Sequence, residues 1–234
     1  MRSYGDYCPI AKGAEVLATR WTPIIVRNLL LGCRTFNQIR AGTHGIPRSV
    51  LTERLKLLEQ SGVVERLPSP RGRGWSYELT EAGLELRPVL DALGIWGARW
   101  IETAPEDFDP YLILWSMCRS IDPEQIPERV VVLRFDFRDQ PKRRFWVLVQ
   151  RPEPEVCVKH PGLDIDLVVS TETEWLGKWQ MGRIPLGEAM RARLIVFDGP
   201  PRLVRAFARW GGIGPFAEVE PRGGRGVATA RSPL

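Results

Sequence analysis

Lysine is scarce in this chain of 234 residues, at 5 of 33 cationic side chains, and histidine occurs twice. Cysteine occurs four times, as Cys8, Cys33, Cys118 and Cys157. Four thiols in a chain this long are too few for a disulfide scaffold. None stands in Cys-x-x-Cys spacing, and His44 and His160 lie far from any cysteine pair, so no metal site is expected. No run of about 20 consecutive apolar residues occurs, so neither a membrane-spanning helix nor a membrane partner is expected. The start, with Ser3, Gly5 and Asp6, lacks the basic residues and apolar run of a secretory signal. The expected location is the reducing cytoplasm. Also missing are a Gly-x-Gly-x-x-Gly after a strand, a phosphate-loop lysine motif and a Gly-x-Ser-x-Gly elbow. Asp164 and Asp166 share a strand face with no third group beside them. No catalytic residue, no cofactor and no enzyme activity are expected.

What is present is the composition of a chain that buries a core: 44% hydrophobic and 26% charged residues, with a net charge of +5. The excess charge is uneven. Residues 1–104 hold 14 Lys or Arg against 10 Asp or Glu, while 105–234 hold 19 against 18. Such a balance allows a polyanionic partner. Arginine enrichment suits phosphate binding, and a G+C-rich genome would give the same bias. The segment from Thr103 to Pro110 carries two prolines and four acidic or hydroxyl-bearing residues. Helical periodicity precedes it and strand alternation follows. The expected domains are therefore 1–104 and 105–220, with a Gly-, Pro- and Arg-rich flexible tail over 221–234.

In the first part, Ile10–Leu17 and Trp21–Leu31 have apolar residues at helical spacing, with Pro23 in a first turn, where proline is tolerated. Gly32 ends the second run. Thr35 can cap a short helix, Phe36–Arg40, with Phe36 and Ile39 inward. A turn at 42–45 follows. Pro47–Gln60 then makes a helix whose apolar stripe is Leu51, Leu55 and Leu58. Its other face carries Arg48, Ser49, Thr52, Glu53 and Lys56. Short helix, turn and half-polar helix form a helix-turn-helix, in which the second helix reads base edges in the major groove. Val63–Pro68 and Trp75–Leu79 read as two strands around a Gly/Arg turn. A hairpin placed there is a wing, and Arg66, Arg71 and Arg73 would hold phosphates or a narrow minor groove. Double-stranded DNA is the expected partner.

Residues from about 7 to 100 resemble the HxlR family of bacterial winged-helix regulators. Tyr7-Cys8-Pro9-Ile10, Leu17 to Trp21-Thr22 with Ile24-Ile25, and Arg34-Thr35-Phe36-Asn37-Gln38-Ile39 carry the first half of the likeness. The second half is Leu51-Thr52-Glu53-Arg54-Leu55 through Glu59, Gly62-Val63-Val64-Glu65-Arg66 and Tyr77-Glu78-Leu79-Thr80-Glu81-Ala82-Gly83. Pro47 departs from the pattern, since a serine-like cap is commoner there. The resemblance implies a homodimeric transcription regulator on a roughly palindromic operator. It also implies that the terminal helices pair two subunits. The helix expected over Glu81–Trp100, broken by Pro88 and Gly94, carries Leu93, Trp96 and Trp100, which would form the dimer interface; the alternative is that its tryptophans pack on the rest of the same chain. In some members of the family a cysteine at the position of Cys8 senses electrophiles or oxidants. Here its surroundings (Arg2, Lys12) could lower its pKa; the alternative is an inert thiol at the dimer seam.

The second part reads as α+β. A helix over Pro110–Ser120 precedes strands over 129–138, 143–150, 155–159 and 165–170. A capping box over Thr171–Glu174 then opens a helix with Trp175, Leu176 and Trp179. A turn and short helix (182–190), a strand (193–197) and a closing helix (200–210) complete about five strands with helices on one side. This order resembles the sterol carrier protein type 2 fold, on Pro161-Gly162, Asp164-Ile165-Asp166-Leu167, Trp175-Leu176 with Trp179, Gly182 with Ile184, and the stretch Leu203 to Trp210. That resemblance implies a tunnel for a lipid or another apolar small molecule, with Trp146, Trp175, Trp179 and Trp210 lining it. The alternative is that they fill a core. Three readings of the whole remain: an effector-controlled regulator, a Cys8-based sensor with a structural second domain, and a lipid-binding module whose winged helix binds protein.

Overall fold

The computed structural model describes residues 4–70, 72, 74–210 and 212–222. The chain divides into two units, Met1–Gly94 and Ile95–Leu234. The first contains α1 (Pro9–Leu17), α2 (Thr22–Leu30), α3 (Phe36–Ala41), α4 (Arg48–Gln60), β1 (Val64–Pro68), β2 (Trp75–Leu79) and α5 (Glu81–Leu84). It also holds the start of α6 (Arg87–Trp100).

Local chemistry explains these boundaries. Gly32 takes φ +84°, which ends the α2 segment at a conformation open to glycine. Thr35 and Gln38 cap α3 reciprocally. The Thr35 hydroxyl accepts from the Gln38 backbone N–H at 3.3 Å, and Gln38 Oε1 accepts from the Thr35 N–H at 3.0 Å. Along α4, Leu51, Leu55 and Leu58 are buried, as an i, i+4, i+7 stripe requires. Ile25, Val26, Leu29 and Ile39 are fully buried as well. Pro47 is the residue before α4 and supplies no side-chain cap.

The single helix expected over Glu81–Trp100 is two helices. Pro88 lies in the first turn of α6, where its missing N–H breaks no helical bond, so the chain turns after α5 and starts again at Arg87. Gly94, expected to interrupt the helix, lies inside α6. Its propensity penalty of about 1 kcal/mol is too small to end a 14-residue helix. Gly83 is buried so closely that an added Cβ would stand 2.2 Å from the Val63 carbonyl oxygen.

The second unit contains α7 (Pro110–Ser120), β3 (Val131–Phe137), β4 (Arg144–Val149), β5 (Glu155–Cys157), β6 (Leu167–Thr171), α8 (Thr173–Gln180), α9 (Leu186–Arg191), β7 (Ile195–Asp198) and α10 (Pro201–Trp210). The strands form one sheet in the order β5-β4-β3-β6-β7. Only the β3–β6 pair is parallel. Strand alternation sends Val131, Leu133, Phe135 and Phe137, with Phe145, Val147 and Val149, to one face. There they pack with Leu114 and Met117 of α7, Leu176 and Trp179 of α8, and Leu203 and Phe207 of α10. Val132, Trp146 and Leu148 form a smaller cluster on the other face, with Cys157 against it.

The capping box expected over Thr171–Glu174 does not form. Thr171 ends β6, and its hydroxyl donates to the Leu194 carbonyl at 2.9 Å. Glu172 precedes α8 without a side-chain cap. Asp139, from the turn after β3, accepts from the Thr173 N–H at 3.0 Å instead. A distant carboxylate thus does the work that a local motif was expected to do.

Residues 212–222 return across the end of α8. Gly214 N–H donates to the Gln180 carbonyl at 2.7 Å, and Arg222 N–H to the Arg99 carbonyl at 2.9 Å. Gly182 is required there: it takes φ +70°, and a Cβ on it would stand 2.6 Å from the Ala217 carbonyl oxygen. Of the tail expected over 221–234, Pro221 and Arg222 are placed, and 223–234 lie outside the described residues.

Candidate nucleic-acid interface

The geometry of the first unit rests on a buried polar lock. Asn28 of α2 is fully buried, and its amide donates to the Ile39 carbonyl at 2.9 Å and to the Thr43 hydroxyl at 2.8 Å. The Thr43 hydroxyl in turn donates to Ile39 at 2.8 Å. Arg27 donates to Asn28 Oδ1 at 2.8 Å and to the Gly42 carbonyl at 2.8 Å. These bonds tie α2 to the end of α3 and to the turn that aims α4. Sequence periodicity missed them, because an asparagine inside an apolar helix reads as a defect. The only local signal was its place on the buried face.

With α4 held this way, Arg48, Ser49, Thr52, Glu53 and Lys56 are all exposed, opposite the leucine stripe. They differ in freedom. The Arg48 guanidinium lies over the Phe36 ring at 5.2 Å, so α3 braces it. The Thr52 hydroxyl donates back to the Arg48 carbonyl at 2.9 Å. Glu53 pairs with Arg54 at 3.2 Å.

The wing is the hairpin β1–β2, in register from Val64 opposite Leu79 to Pro68 opposite Trp75. At its tip Ser69 N–H donates to the Gly74 carbonyl at 3.1 Å, and Gly72 N–H to Ser69 at 3.1 Å. Gly72 and Gly74 take φ +89° and +94°, the conformations that glycine permits at a tight turn. Arg71 and Arg73 lie outside the described residues. Arg66 is exposed on β1, its guanidinium 4.4 Å from the Trp75 ring centroid and 3.6 Å from Glu59 at the end of α4. A third element joins the wing. Tyr77 N–H donates to the Arg34 carbonyl at 2.7 Å, and Thr35 bridges Ser76. The wing is thus tied to the segment that caps α3.

The described part of α6 has no buried residue. Leu93 and Trp96 are about half exposed, at 49% and 47%, alongside Val89 at 48%. Trp100 is partly buried, with Arg222 over its ring at 5.8 Å. Near the start of the chain, Tyr7 and Ile10 are exposed at 95% and 82%. Cys8 stands between them, partly exposed at the N-cap of α1, its backbone N–H donating to Asp6 at 3.2 Å. Of the basic neighbours expected for it, Lys12 is paired with Glu15 at 3.4 Å, and Arg2 lies outside the described residues.

The four tryptophans expected around one tunnel are not brought together. Trp146 belongs to the smaller cluster on the second face of the sheet, edge-on to His160 at 5.4 Å. Trp179 and Trp210 lie in the main core on the opposite face. Trp179 stacks on Phe207 at 5.3 Å, and Trp210 Nε1–H donates to the Gln125 carbonyl at 3.0 Å. Trp175 is partly buried against that core, with the Lys178 ammonium over its ring at 4.7 Å. Strand parity divides the set: Trp146 has the opposite parity to Phe145 and Val147 on the same strand. Among the described residues no group of three metal-ligating side chains occurs, and no helix is long and apolar enough to cross a membrane.

Residues 16–105 match the model of the HxlR-like helix-turn-helix family. The chain is 38% identical over 100 residues to the HTH-type transcriptional regulator YvaP of Bacillus subtilis, an alignment covering 42% of this chain and 92% of that protein. It is 32% identical over 136 residues to the HTH-type transcriptional regulator Rv3095 of Mycobacterium tuberculosis, covering 50% of this chain and 85% of the relative. Among solved structures, it resembles the reduced form of the transcriptional regulator YodB from B. subtilis. That likeness has 34% identity and a TM-score of 0.35 and covers 39% of this chain and 92% of YodB.

Proposed function

The chain belongs to the HxlR-like helix-turn-helix family of transcriptional regulators, and from that premise we propose that it binds a roughly palindromic operator as a homodimer in the cytoplasm. One observation carries the reading. The five polar side chains of α4 stand exposed on the face opposite its buried leucines, beside a braced wing. Ser49, Thr52, Glu53 and Lys56 enter the major groove, with Arg48 steadied on Phe36. Arg66, Arg71 and Arg73 hold the phosphate backbone or the minor groove.

The dimer is supported by α6, on which Leu93 and Trp96 stay about half exposed among the described residues. A half-exposed aromatic and aliphatic stripe of this kind suits a subunit interface. Trp100, expected to extend it at the helix end, is covered in part by Arg222 instead. Twofold pairing places two recognition helices about one DNA turn apart.

The second unit is proposed to be a sterol carrier-like effector domain. Its five-stranded sheet, with one parallel pair and all its core helices on one face, supports that reading. The test of the whole is to select bound fragments from a random DNA library and measure their affinity against salt. About six phosphate contacts per dimer should make the logarithm of affinity fall steeply with the logarithm of salt. A flat response would assign the winged helix to a protein partner instead.

A further inference from the structure

The second unit contains a cleft of about 310 Å³ that is separate from the tryptophan positions expected to line a tunnel, Trp146, Trp175, Trp179 and Trp210. Trp100, Phe108 and Met181 give it apolar walls. Arg99, Arg183 and Arg222 surround it with positive charge. Glu102 is the one carboxylate among its lining residues, and Lys178, also in the lining, is matched by Glu174 at 2.6 Å. The cleft is therefore cationic around an apolar interior.

Its walls are held in place. The Arg183 guanidinium donates to the Val219 carbonyl at 2.8 Å and to the Ala98 carbonyl at 3.3 Å. Arg222 is fixed by its backbone bond to Arg99 and lies over Trp100. Phe108 rests on Gly177, where a Cβ would come within 2.3 Å of the ring. Nothing larger than glycine lets that aromatic wall sit so close to α8.

The volume is at the lower end for small-molecule sites, enough for one or two rings or a medium alkyl chain. Guanidinium groups pair best with carboxylates, in planar two-point contacts. Aromatic and thioether walls take an apolar body. We propose that this cleft binds a small amphiphilic organic anion, an aromatic or medium-chain carboxylate. Its charge faces Arg99 and Arg222, and its body lies against Trp100, Phe108 and Met181. Ala98 to Trp100 are the last turn of α6, the helix that begins at Arg87 in the DNA-binding unit. As the seat of an effector, a role that rests on the regulator reading, the cleft lets a ligand act on that helix.

Isothermal titration calorimetry on the full chain tests the site without DNA, using 1-naphthoate, decanoate and the neutral 1-naphthamide. At least one acid should saturate at one molecule per chain, with the amide at least about tenfold weaker. The double variant Arg99→Gln, Arg222→Gln should weaken the acid at least about tenfold. Met181→Glu, which adds a carboxylate and removes no cation, should do the same. Arg202→Gln, on the exposed side of α10, should change nothing. The proposal is overturned if neither acid saturates, if the amide binds equally well, or if the double variant binds like the parent chain. DNA affinity measured with the acid present is read separately. A bound acid that leaves DNA affinity unchanged removes the effector role, whereas a chain that binds the acid but never DNA removes the regulator reading.

Discussion

The Asn28 amide and the Thr43 hydroxyl meet at 2.8 Å inside the first unit, where both residues are almost wholly buried. This bond and its partner to Ile39 fix the turn between α3 and α4. Asn28→Ala should leave the Thr43 hydroxyl without a donor and open a small void. The expected loss is about 1–3 kcal/mol of unfolding free energy. Denaturant unfolding measures it, and a loss below about 0.5 kcal/mol would show that the lock contributes little.

Gly83 offers a second test of packing. A methyl group there meets the Val63 carbonyl and the Leu79 side chain, and backbone cannot yield as a flexible side chain does. Gly83→Ala should therefore destabilise by about 1–3 kcal/mol, despite alanine's better helix propensity. A gain in melting temperature would mean that α5 shifts freely away from β1.

For DNA, Arg48 and Arg66 should behave differently. Arg66→Ala should weaken all sequences alike and flatten the salt dependence by about one unit for each phosphate that is no longer neutralised. Arg48→Ala should change which bases are preferred, by about 1–3 kcal/mol at the affected position. Fluorescence anisotropy over a panel of single-base operator variants separates the two. Identical profiles for both variants would contradict the division between α4 and wing.

The exposed stripe of α6 predicts its own failure when charged. Leu93→Glu with Trp96→Glu should convert a dimer to a monomer in sedimentation velocity. Operator affinity should then drop by at least about tenfold, because two half-sites no longer act together. A variant that stays dimeric would assign the stripe another role.

The thiols supply a pH prediction. Burial pushes the Cys118 thiol from an ordinary value of 9.0 up to about 12. Below pH 9 the folded and unfolded chains both keep that proton, and the stabilisation is complete. As pH rises from 9 towards 12 only the unfolded chain ionises there, so stability falls. Cys118→Val should lessen that alkaline loss in thermal melts. Iodoacetamide at pH 8 should spare Cys118 in the native chain and modify the partly exposed Cys8. Cys8 reacting no faster than the buried Cys33 would remove the sensor reading.

The helix-turn-helix and wing were legible in the sequence because their signals are local. The leucine stripe of α4, the Thr35 cap and the glycines of the wing turn each act within a few residues. The alternation of β3 and β4 was legible for the same reason, as strand parity assigns each side chain to a face. The buried amide lock was not legible, nor was the third wing element from Arg34 to Tyr77 or the Asp139 cap on α8. Those bonds join residues far apart in the chain, and periodicity carries no information about partners at that distance.

What the sequence by itself determined is most of the elements and the polar face of α4, since backbone propensity and hydrophobic period act on neighbouring residues. Tertiary structure alone decided that Trp146 parts from Trp179 and Trp210, and that Arg222 closes on Arg99 beside Trp100. Whether an aromatic ring fills a core or walls a cleft depends on which distant backbone packs against it, and only the folded chain sets that.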